Sequence, residues 1–282
     1  MVNISKLQDS YLRIKEYIHK TPILVSDSMN SDFNAFFYLK NEVDQVTGSF
    51  KIRGALSALS NLKDKNVSGV VAYSSGNHAQ GVSKAAQIFG MHAIIVMPED
   101  APQNKIEKTR ANGADVVLYK RHIESREEIA KKIADDKQYP LVKPFDNEDI
   151  IAGQGSFGLE ACDYFIQNNI SPDIVLSCTS GGGLVAGTSI AFKHYFPDVQ
   201  IYPVEPLTCN DTEISLKNRT RTRLKTHQNT ICDALEVEIP GEITFPINLQ
   251  NCTAGISVTD EEVCVAMKYL YCLLYTSPSP RD

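Results

Sequence analysis

The feature that most constrains the fold is the alternation of short β-branched runs with segments of helical periodicity along most of the 282 residues. Such alternation is typical of α/β proteins with mostly parallel sheets. The runs are nearly continuous in apolar residues, as expected for strands that are covered on both faces. The clearest strands are predicted at residues 69–73, 92–96, 115–118, 173–177 and 199–204.

Helices are predicted between these strands, and several have recognisable ends. The segment 77–89 places small and apolar residues at helical spacing and stops at Gly90, a residue suited to a helix C-terminus. Further helices are predicted at residues 102–111 and 260–270, and Ser125 is placed to cap another that is rich in Glu and Lys. Helices and strands thus alternate through the chain.

Composition narrows the class of protein further. A hydrophobic content of 43% supplies enough apolar residues for a sizeable core, and a net charge of -6 gives no general attraction to nucleic acid or anionic lipid. The seven cysteines form no CxxC pair and are predicted to be reduced thiols. The sequence opens without a signal-peptide pattern, and no apolar stretch approaches ~18 residues. We therefore expect a cytoplasmic protein with a small-molecule partner, bound neither to nucleic acid nor to membrane.

The first segment that suggests chemistry is TGSFKIRGA at residues 47–55, in which Lys51 follows Gly-Ser-Phe. A lysine becomes a Schiff-base nucleophile when desolvation or nearby positive charge lowers its pKa. Most lysines are instead solvated surface residues. This segment alone leaves both interpretations open.

The second segment is YSSGNHAQG at residues 73–81, which follows a predicted strand directly and opens a predicted helix. The free N–H groups at a helix N-terminus suit a carboxylate or a phosphate. An ordinary helix cap is the competing interpretation, because Ser and Asn are favoured there and His78 can be structural.

The third segment is CTSGGGLVAG at residues 178–187, again between a strand and a helix. Three consecutive glycines allow the backbone to wrap closely round an anion, so phosphate is the expected ligand. Gly181, Gly183 and Ala186 also fit the loose GxGxxA pattern of dinucleotide-binding loops, with Glu205 at roughly the expected distance. An NAD-binding interpretation stays open for this loop, but it leaves the other two segments unexplained.

In this order, SFKIRGA, SSGNHAQG and SGGGLVAG resemble the fold-type-II pyridoxal-phosphate (PLP) enzymes, particularly threonine/serine ammonia-lyases and serine racemases. The resemblance runs from KTPI at residues 20–23 to about residue 270, and it includes IAGQG at residues 151–155 and PVEP at residues 203–206. It implies a tryptophan synthase β-like architecture of two α/β domains with mostly parallel sheets.

The resemblance also implies where the two domains lie. A large PLP-binding domain would comprise residues 1–68 and 146–274, and a small inserted domain would comprise residues 69–145. Members of the family are commonly dimers or tetramers, so a homo-oligomer is expected.

Roles for individual residues follow from the resemblance. Lys51 is expected to hold PLP as a Schiff base and to remove the substrate's Cα proton. The other implied cofactor contacts are Phe50 beside the ring, Asn77 at the 3-hydroxyl, and the backbone N–H groups of Ser180, Gly181, Gly182, Gly183 and Leu184 at the phosphate. The implied substrate contacts are Ser74, Ser75, Asn77 and His78 at the carboxylate, with Arg126 as a further contact.

Members of the family also often carry a divalent cation near the third segment. Glu205, Asp211 and the backbone carbonyl of Cys209 fit that pattern, and hard oxygen ligands favour Mg²⁺ or Ca²⁺. A solvated acidic loop in which Asp211 caps a helix is the alternative.

The implied reaction is deamination of L-threonine, L-serine or a similar hydroxy amino acid to a 2-oxo acid and ammonia. ICDAL at residues 231–235 and PGEITFPIN at residues 240–248 resemble a serine/threonine dehydratase subgroup, which favours dehydration. Serine racemase is the alternative, because Ser75 stands where racemases place their opposite-face acid/base. An inactive, truncated protein that binds PLP is a further alternative.

The sequence departs from the family in two places. Ser180 stands where the family has the first of four glycines, a mild change because backbone N–H groups hold the phosphate. The family's late Ser or Thr partner of the pyridine nitrogen is not recognisable before YTSPSPRD at residues 275–282. Two prolines prevent those residues from continuing a helix, and they are predicted to be a non-native tail.

Overall fold

The computed structural model describes residues 2–121, 123–225 and 229–274. The helices are α1 (Ile4–Ile14), α2 (Asp27–Phe33), α3 (Lys51–Lys63), α4 (Asn77–Phe89), α5 (Gln103–Ala111), α6 (Arg126–Lys137), α7 (Glu148–Gln167), α8 (Gly183–Tyr195), α9 (Asp211–Asn218), α10 (Thr244–Asn251) and α11 (Asp260–Leu274). The strands are β1 (Ile23–Leu24), β2 (Leu39–Lys40), β3 (Gly69–Tyr73), β4 (His92–Pro98), β5 (Asp115–Tyr119), β6 (Ile174–Cys178), β7 (Gln200–Pro206) and β8 (Ile256–Val258). Short 3-10 turns cover Lys15–Tyr17, Leu207–Cys209 and Asp233–Leu235.

Two parallel three-stranded sheets organise the described chain. β3, β4 and β5 pair in sequence order, with Tyr73 opposite Val96. β6, β7 and β8 pair in the same way, with Cys178 opposite Val204. The predicted α/β class with parallel sheets is confirmed, and the five predicted strands match β3 to β7 with ends that differ by at most two residues.

Apolar clusters join the helices to these sheets. One core packs α3 and α4 against β3 and β4 through side chains such as Leu56, Val82 and Ile95. A second packs α7 and α8 together through Ile151 and Val185. Both clusters are buried, so they set the position of the loops that leave the strands.

Glycines allow two helix pairs to approach closely. A Cβ added at Gly187 on α8 would lie 2.5 Å from the carbonyl oxygen of Ile151 on α7. A Cβ added at Gly81 on α4 would lie 3.1 Å from the backbone carbonyl oxygen of Lys51 at the start of α3. The second contact brings Lys51 beside the loop that precedes α4.

A buried ionic network holds the first turn of α3. Arg53 is fully buried, and its guanidinium contacts Glu42 at 2.7 Å and Glu160 on α7 at 2.8 Å. Lys40 contacts the same Glu160 carboxylate at 2.6 Å. Because each charge has an opposite partner, the network can stay buried, and it ties α3 to α7 two residues after Lys51.

The predicted inserted domain, residues 69–145, contains β3, β4, β5 and the helices α4 to α6, but the division into two domains stays a prediction. The predicted tail at 275–282 lies outside the described residues. Six cysteines, Cys162, Cys178, Cys209, Cys232, Cys252 and Cys264, form no disulfide within the described ranges. Across the described ranges, none of the helices combines the length and the apolar character needed to span a bilayer.

Candidate active site

Lys51 is the first residue of α3. Its side chain reaches a cavity between the loop after β3 in one sheet and the loop after β6 in the other. Its Nζ donates a hydrogen bond to the carbonyl oxygen of Pro144 at 3.1 Å and lies 5.2 Å from the centre of the Phe50 ring. Burial disfavours the charged ammonium and lowers the pKa of Lys51 to about 8. The amine is therefore available as a nucleophile near neutral pH.

The loop after β3 brings polar groups to the same cavity. The Ser74 hydroxyl accepts a hydrogen bond from the N–H of Gly76 at 3.1 Å, which folds the chain into the start of α4. Asn77 is the first residue of α4 and is exposed. The N-terminal N–H groups of a helix lack intrahelical partners, so this loop is suited to an anion such as a carboxylate.

His78 lies behind this loop as a neutral base. Its Nε2 donates to the carbonyl oxygen of Val142 at 3.0 Å, since a carbonyl can only accept. Burial, and then the nearby charge of Lys51, lower the pKa of His78 to about 3. Its Nδ1 is buried and finds no hydrogen-bond partner among the described residues.

The glycine loop after β6 completes the site. Gly182 adopts a left-handed conformation with φ of 87° and precedes α8. A Cβ at Gly181 would lie 2.3 Å from the Phe145 ring, and one at Gly183 would lie 2.6 Å from the Gln154 Oε1. A side chain at Gly181 would collide with the Phe145 ring, and one at Gly183 would displace the Gln154 side chain, so glycine lets the backbone itself approach a ligand.

The three segments meet at one cavity of about 200 Å³. Of the predicted cofactor and substrate residues, those that line it are Phe50, Lys51, Ser74, Ser75, Asn77, His78, Arg126, Ser180, Gly182, Gly183 and Leu184. Gly181 is covered by Phe145 and does not line the cavity. The structure therefore brings these residues together, while their individual roles stay predictions.

Arg126 reaches the cavity from the start of α6. Ser125 caps this helix by accepting a hydrogen bond from the N–H of Glu128 at 3.2 Å, as predicted. The Arg126 guanidinium donates to Glu127 at 2.8 Å and lies 5.4 Å from the centre of the Tyr73 ring. Apart from Lys51, two cationic side chains line the cavity among the described residues, and Arg126 is one of them.

Lys105 on α5 is the other cation, and the sequence interpretation missed it. Its Nζ lies 3.3 Å from the point where a Cβ on Gly76 would stand. Within the described part of the chain, the ammonium makes no ion pair or side-chain hydrogen bond. The topology could have indicated it. Because β3 and β4 are parallel neighbours, their carboxyl ends lie at one sheet edge, and α5 follows β4 there.

Other wall residues were also missed. They are Tyr73, Pro144, Phe145, Cys178, Thr179, Val185 and residues 233–237. Four of them, Tyr73, Cys178, Thr179 and Val185, belong to the second and third motif segments, whereas Pro144, Phe145 and residues 233–237 are distant in sequence from all three motifs. Phe145 is the most consequential, because its ring packs directly on Gly181.

One buried polar side chain next to the glycine loop lacks hydrogen-bond partners among the described residues. Both amide atoms of Gln154 are buried beside Gly183 with no hydrogen-bond partner in the described ranges. Such unsatisfied groups are costly unless a ligand or water completes them. The left-handed Gly182 and the nucleophilic Lys51, which both line the cavity, match what PLP requires of a site.

Glu205 and Asp211, the predicted metal ligands, lie near the glycine loop. Their arrangement differs from the alternative in which Asp211 caps a helix. Glu205 accepts hydrogen bonds from the N–H groups of Thr212 at 3.1 Å and Glu213 at 2.9 Å, so Glu205 covers the N-terminus of α9. The alternative in which Asp211 caps a helix is wrong, because its side chain makes no capping hydrogen bond to the described residues of α9. Burial raises the pKa of Glu205 to about 7.

Asp211 itself is fully buried, and neither carboxylate oxygen has a hydrogen-bond partner in the described residues. Burial, and then the charge of Glu205, raise the pKa of Asp211 to about 8. The described ranges hold no cluster of three or more His, Cys, Asp or Glu side chains placed to bind a metal. A cation here would need main-chain oxygens, such as the carbonyl of Cys209.

Comparison with known proteins gives the class of enzyme to which this site belongs. A family model described as pyridoxal-phosphate dependent enzyme matches residues 14–275. The chain belongs to this family, and its fold and sequence identify it as a fold-type-II PLP enzyme, as the sequence motifs predict.

Relatives with two activities match it at similar levels. The chain is 38% identical over 263 residues to an L-threo-3-hydroxyaspartate ammonia-lyase of Saccharomyces cerevisiae, covering 93% of this chain and 79% of the relative. It is 36% identical over 259 residues to a serine racemase of Schizosaccharomyces pombe, covering 91% and 78%. The crystal structure of a threonine deaminase from T.th. has a TM-score of 0.90 and 38% identity, covering 96% and 87%. The chain is thus a member of the PLP-dependent ammonia-lyase and racemase family.

Proposed function

We propose that the chain deaminates a hydroxy amino acid, such as L-threonine or L-serine, to a 2-oxo acid and ammonia with PLP as cofactor. The observation that carries this proposal is that Lys51, the loop at residues 74–78 and the glycine loop line one cavity. A nucleophilic lysine, a carboxylate-binding helix start and a phosphate-binding loop are together what this chemistry requires.

The residues that would hold PLP are Lys51, Phe50 and Asn77, with the backbone of the glycine loop at its phosphate. When bound, PLP withdraws electrons from the bonds at the substrate's Cα. Lys51 is suited to take the Cα proton because burial keeps a large fraction of its amine neutral near pH 8. The N-terminus of α4 would hold the substrate carboxylate and orient the Cα–H bond toward Lys51.

The cations on the cavity wall support a particular substrate class within this proposal. Lys105 has no ionic partner in the described residues and lies over Gly76, and Arg126 lines the same cavity. A substrate with a second carboxylate, such as 3-hydroxyaspartate, would place a negative charge where these cations can meet it. We therefore include acidic hydroxy amino acids among the expected substrates.

Serine racemisation is the second candidate, and the position of Ser75 favours it. Ser75 lines the same cavity as Lys51, so its hydroxyl is available as a second acid/base. A racemase needs two such groups, because one must remove the Cα proton and the other must return it on the opposite face.

Reconstituting the apoprotein with PLP and supplying L-threonine, L-serine and L-threo-3-hydroxyaspartate separately tests both candidates. We expect 2-oxo acid and ammonia in equal amounts, and loss of both in Lys51→Ala. A Ser75→Ala variant should keep 2-oxo acid formation and lose any D-serine formation. A folded protein that binds PLP but yields neither product from any of these substrates contradicts the proposal and favours an inactive cofactor-binding protein.

A divalent cation, Mg²⁺ or Ca²⁺, is also proposed at Asp211. The two unpartnered carboxylate oxygens of this buried residue support it, because an oxygen-coordinated cation would satisfy both. Glu205 would contribute in addition to its hydrogen bonds with α9, and the carbonyl of Cys209 is the predicted third ligand.

A further inference from the structure

Two side chains of helix α10, which lies outside the cavity, form hydrogen bonds with the glycine loop. The Thr244 hydroxyl donates a hydrogen bond to the carbonyl oxygen of Gly181 at 2.6 Å, and the same oxygen accepts a longer hydrogen bond from the Gly241 N–H at 3.3 Å. The Asn248 side-chain amide donates to the carbonyl oxygen of Gly182 at 3.3 Å. Both side chains are fully buried, and neither lines the cavity.

The spacing of these two residues explains how one helix reaches both carbonyls. Positions i and i+4 lie on the same face of an α-helix, one turn apart. Thr244 is also the first residue of α10, and the preceding Ile243 N–H donates to the Asp146 carboxylate at 2.7 Å. The start of α10 is thereby anchored to Asp146. The preceding residue, Phe145, covers Gly181 from the other side.

The anchored carbonyls determine where the loop's N–H groups point. In a planar trans peptide, the C=O of one residue and the N–H of the next point in opposite directions. Because the Gly181 carbonyl faces α10, the Gly182 N–H points away from α10. The Gly182 carbonyl is held by Asn248 and by the Ala186 N–H at 2.9 Å, so the Gly183 N–H also points away from that contact.

Glycine peptides need such anchoring more than others do. Glycine adopts positive and negative φ with similar ease, so an unanchored run of three glycines has many peptide orientations. Gly182 and Gly183 both line the cavity, and their N–H groups have no backbone acceptor among the described residues. A loop held in one orientation binds an anion without first losing that freedom.

We propose that Thr244 and Asn248 are positioning residues that hold the N–H groups of Gly182 and Gly183 toward the cofactor phosphate before PLP binds. This inference rests on the proposed cofactor-binding function. It assigns to α10 a role in cofactor affinity, although no residue of α10 touches the cavity.

The test compares the affinities of the apoprotein for PLP and for pyridoxal, which lacks the phosphate. Thr244→Val removes the hydroxyl while keeping the shape of the side chain, and Asn248→Leu removes the amide. We expect each variant to weaken PLP binding about tenfold, the usual effect of one hydrogen bond lost, and to leave pyridoxal binding unchanged. Thr244→Ser keeps the hydroxyl and should restore the PLP affinity.

Asn251→Ala supplies the matched control. Its side-chain amide donates to the Ser189 hydroxyl at 3.1 Å, so it joins the same two helices, α10 and α8, without contacting the glycine loop. This variant should lower thermal stability and leave the affinities for PLP and pyridoxal unchanged.

The outcomes separate the inference from the function on which it rests. Unchanged PLP affinity in Thr244→Val and Asn248→Leu, with PLP bound by the wild type, overturns the positioning role alone. Equal weakening of PLP and pyridoxal also overturns it, because the phosphate would then not be involved. A folded wild-type protein that binds no PLP overturns the proposed function together with the inference.

Discussion

The Nζ of Lys51 donates a hydrogen bond to the main-chain carbonyl oxygen of Pro144 across 3.1 Å. This single contact joins the first residue of α3 to the segment that precedes α7, and it fixes the amine at the cavity wall. A carbonyl accepts from either protonation state of the amine, so the contact orients Lys51 without holding it charged.

The first prediction concerns the pH dependence of cofactor capture by Lys51. Only the neutral amine attacks the PLP aldehyde, and burial lowers the pKa of Lys51 to about 8. The rate of covalent capture by the apoprotein should rise about tenfold per pH unit below pH 8 and level off above it. Rapid mixing with PLP, followed by borohydride trapping and peptide mass mapping, measures the rate and the site.

Controls for this measurement are direct. Lys51→Ala should trap no PLP at this peptide, and Lys131→Ala, at an exposed residue on α6, should behave as the wild type. A capture rate that keeps rising to pH 10.5, the ordinary value for lysine, would contradict the lowered pKa.

The second prediction concerns acid stability and His78. The pKa of His78 is about 3 in the folded protein, below its ordinary value of 6.5, because the ring is buried. Between these values the unfolded chain binds one more proton, so folding stability falls as the pH falls. The apoprotein should lose about 1.4 kcal/mol more per pH unit than His78→Gln does between pH 6 and 4.

Urea unfolding at a series of pH values measures this difference. His194→Gln, at an exposed residue at the end of α8, is the control and should follow the wild type. Parallel curves for the wild type and His78→Gln would show that the ring is not held neutral.

The third prediction concerns the ionic network beneath Lys51. Arg53→Met would leave the buried carboxylates of Glu42 and Glu160 without their guanidinium partner. Breaking a buried pair in this way costs about 3–5 kcal/mol. Denaturant unfolding should show that loss, whereas Arg121→Met, which breaks a partly exposed pair with Asp100, should cost no more than ~1 kcal/mol. Equal losses in both variants would mean that the network does not support the fold.

The fourth prediction concerns the proposed cation at Asp211. Adding Mg²⁺ or Ca²⁺ at 100 times its dissociation constant should stabilise the wild type by about 2.7 kcal/mol. Asp211→Asn should lose this stabilisation, because an amide supplies one neutral oxygen in place of a carboxylate. Asp135→Asn, at an exposed residue on α6, should retain it. Thermal unfolding with and without the cation measures the effect, and no shift in the wild type would exclude a stabilising cation.

The fifth prediction concerns substrate choice at Lys105. Lys105→Met should lower kcat/KM for L-threo-3-hydroxyaspartate by about tenfold or more, the worth of one charge-assisted hydrogen bond. The kcat/KM for L-serine, which has no second carboxylate, should change little. Lys108→Met, at a residue one turn further along α5, is the matched control. A proportional loss with both substrates would assign Lys105 a general role and remove it as a determinant of specificity.

Much of the site could be predicted from the sequence because its chemistry lies in short continuous segments. Lys51, the start of α4 and the glycine loop each lie where a strand or loop passes into a helix, and local patterns mark such junctions. The five predicted strands were located for the same reason, since a short apolar run between turn residues is a local signal.

Other parts of the site have no local signature. Lys105 is one of two lysines on α5, and only the pairing of β4 beside β3 brings it to Gly76. Phe145, Gln154 and Thr244 contact the glycine loop from segments far away in sequence. Their roles arise from packing, which depends on distances that no residue pattern encodes.

By itself, the sequence determined the α/β class, the parallel strands and the three segments of a PLP site, because each depends on a pattern of residues that are close together in the sequence. Only the tertiary structure decided that these segments meet at one cavity, that burial lowers the pKa of Lys51 to about 8, and that α10 holds the glycine loop from outside. The physical reason is that desolvation and hydrogen-bond geometry depend on which distant segments pack together, and folding alone sets that arrangement.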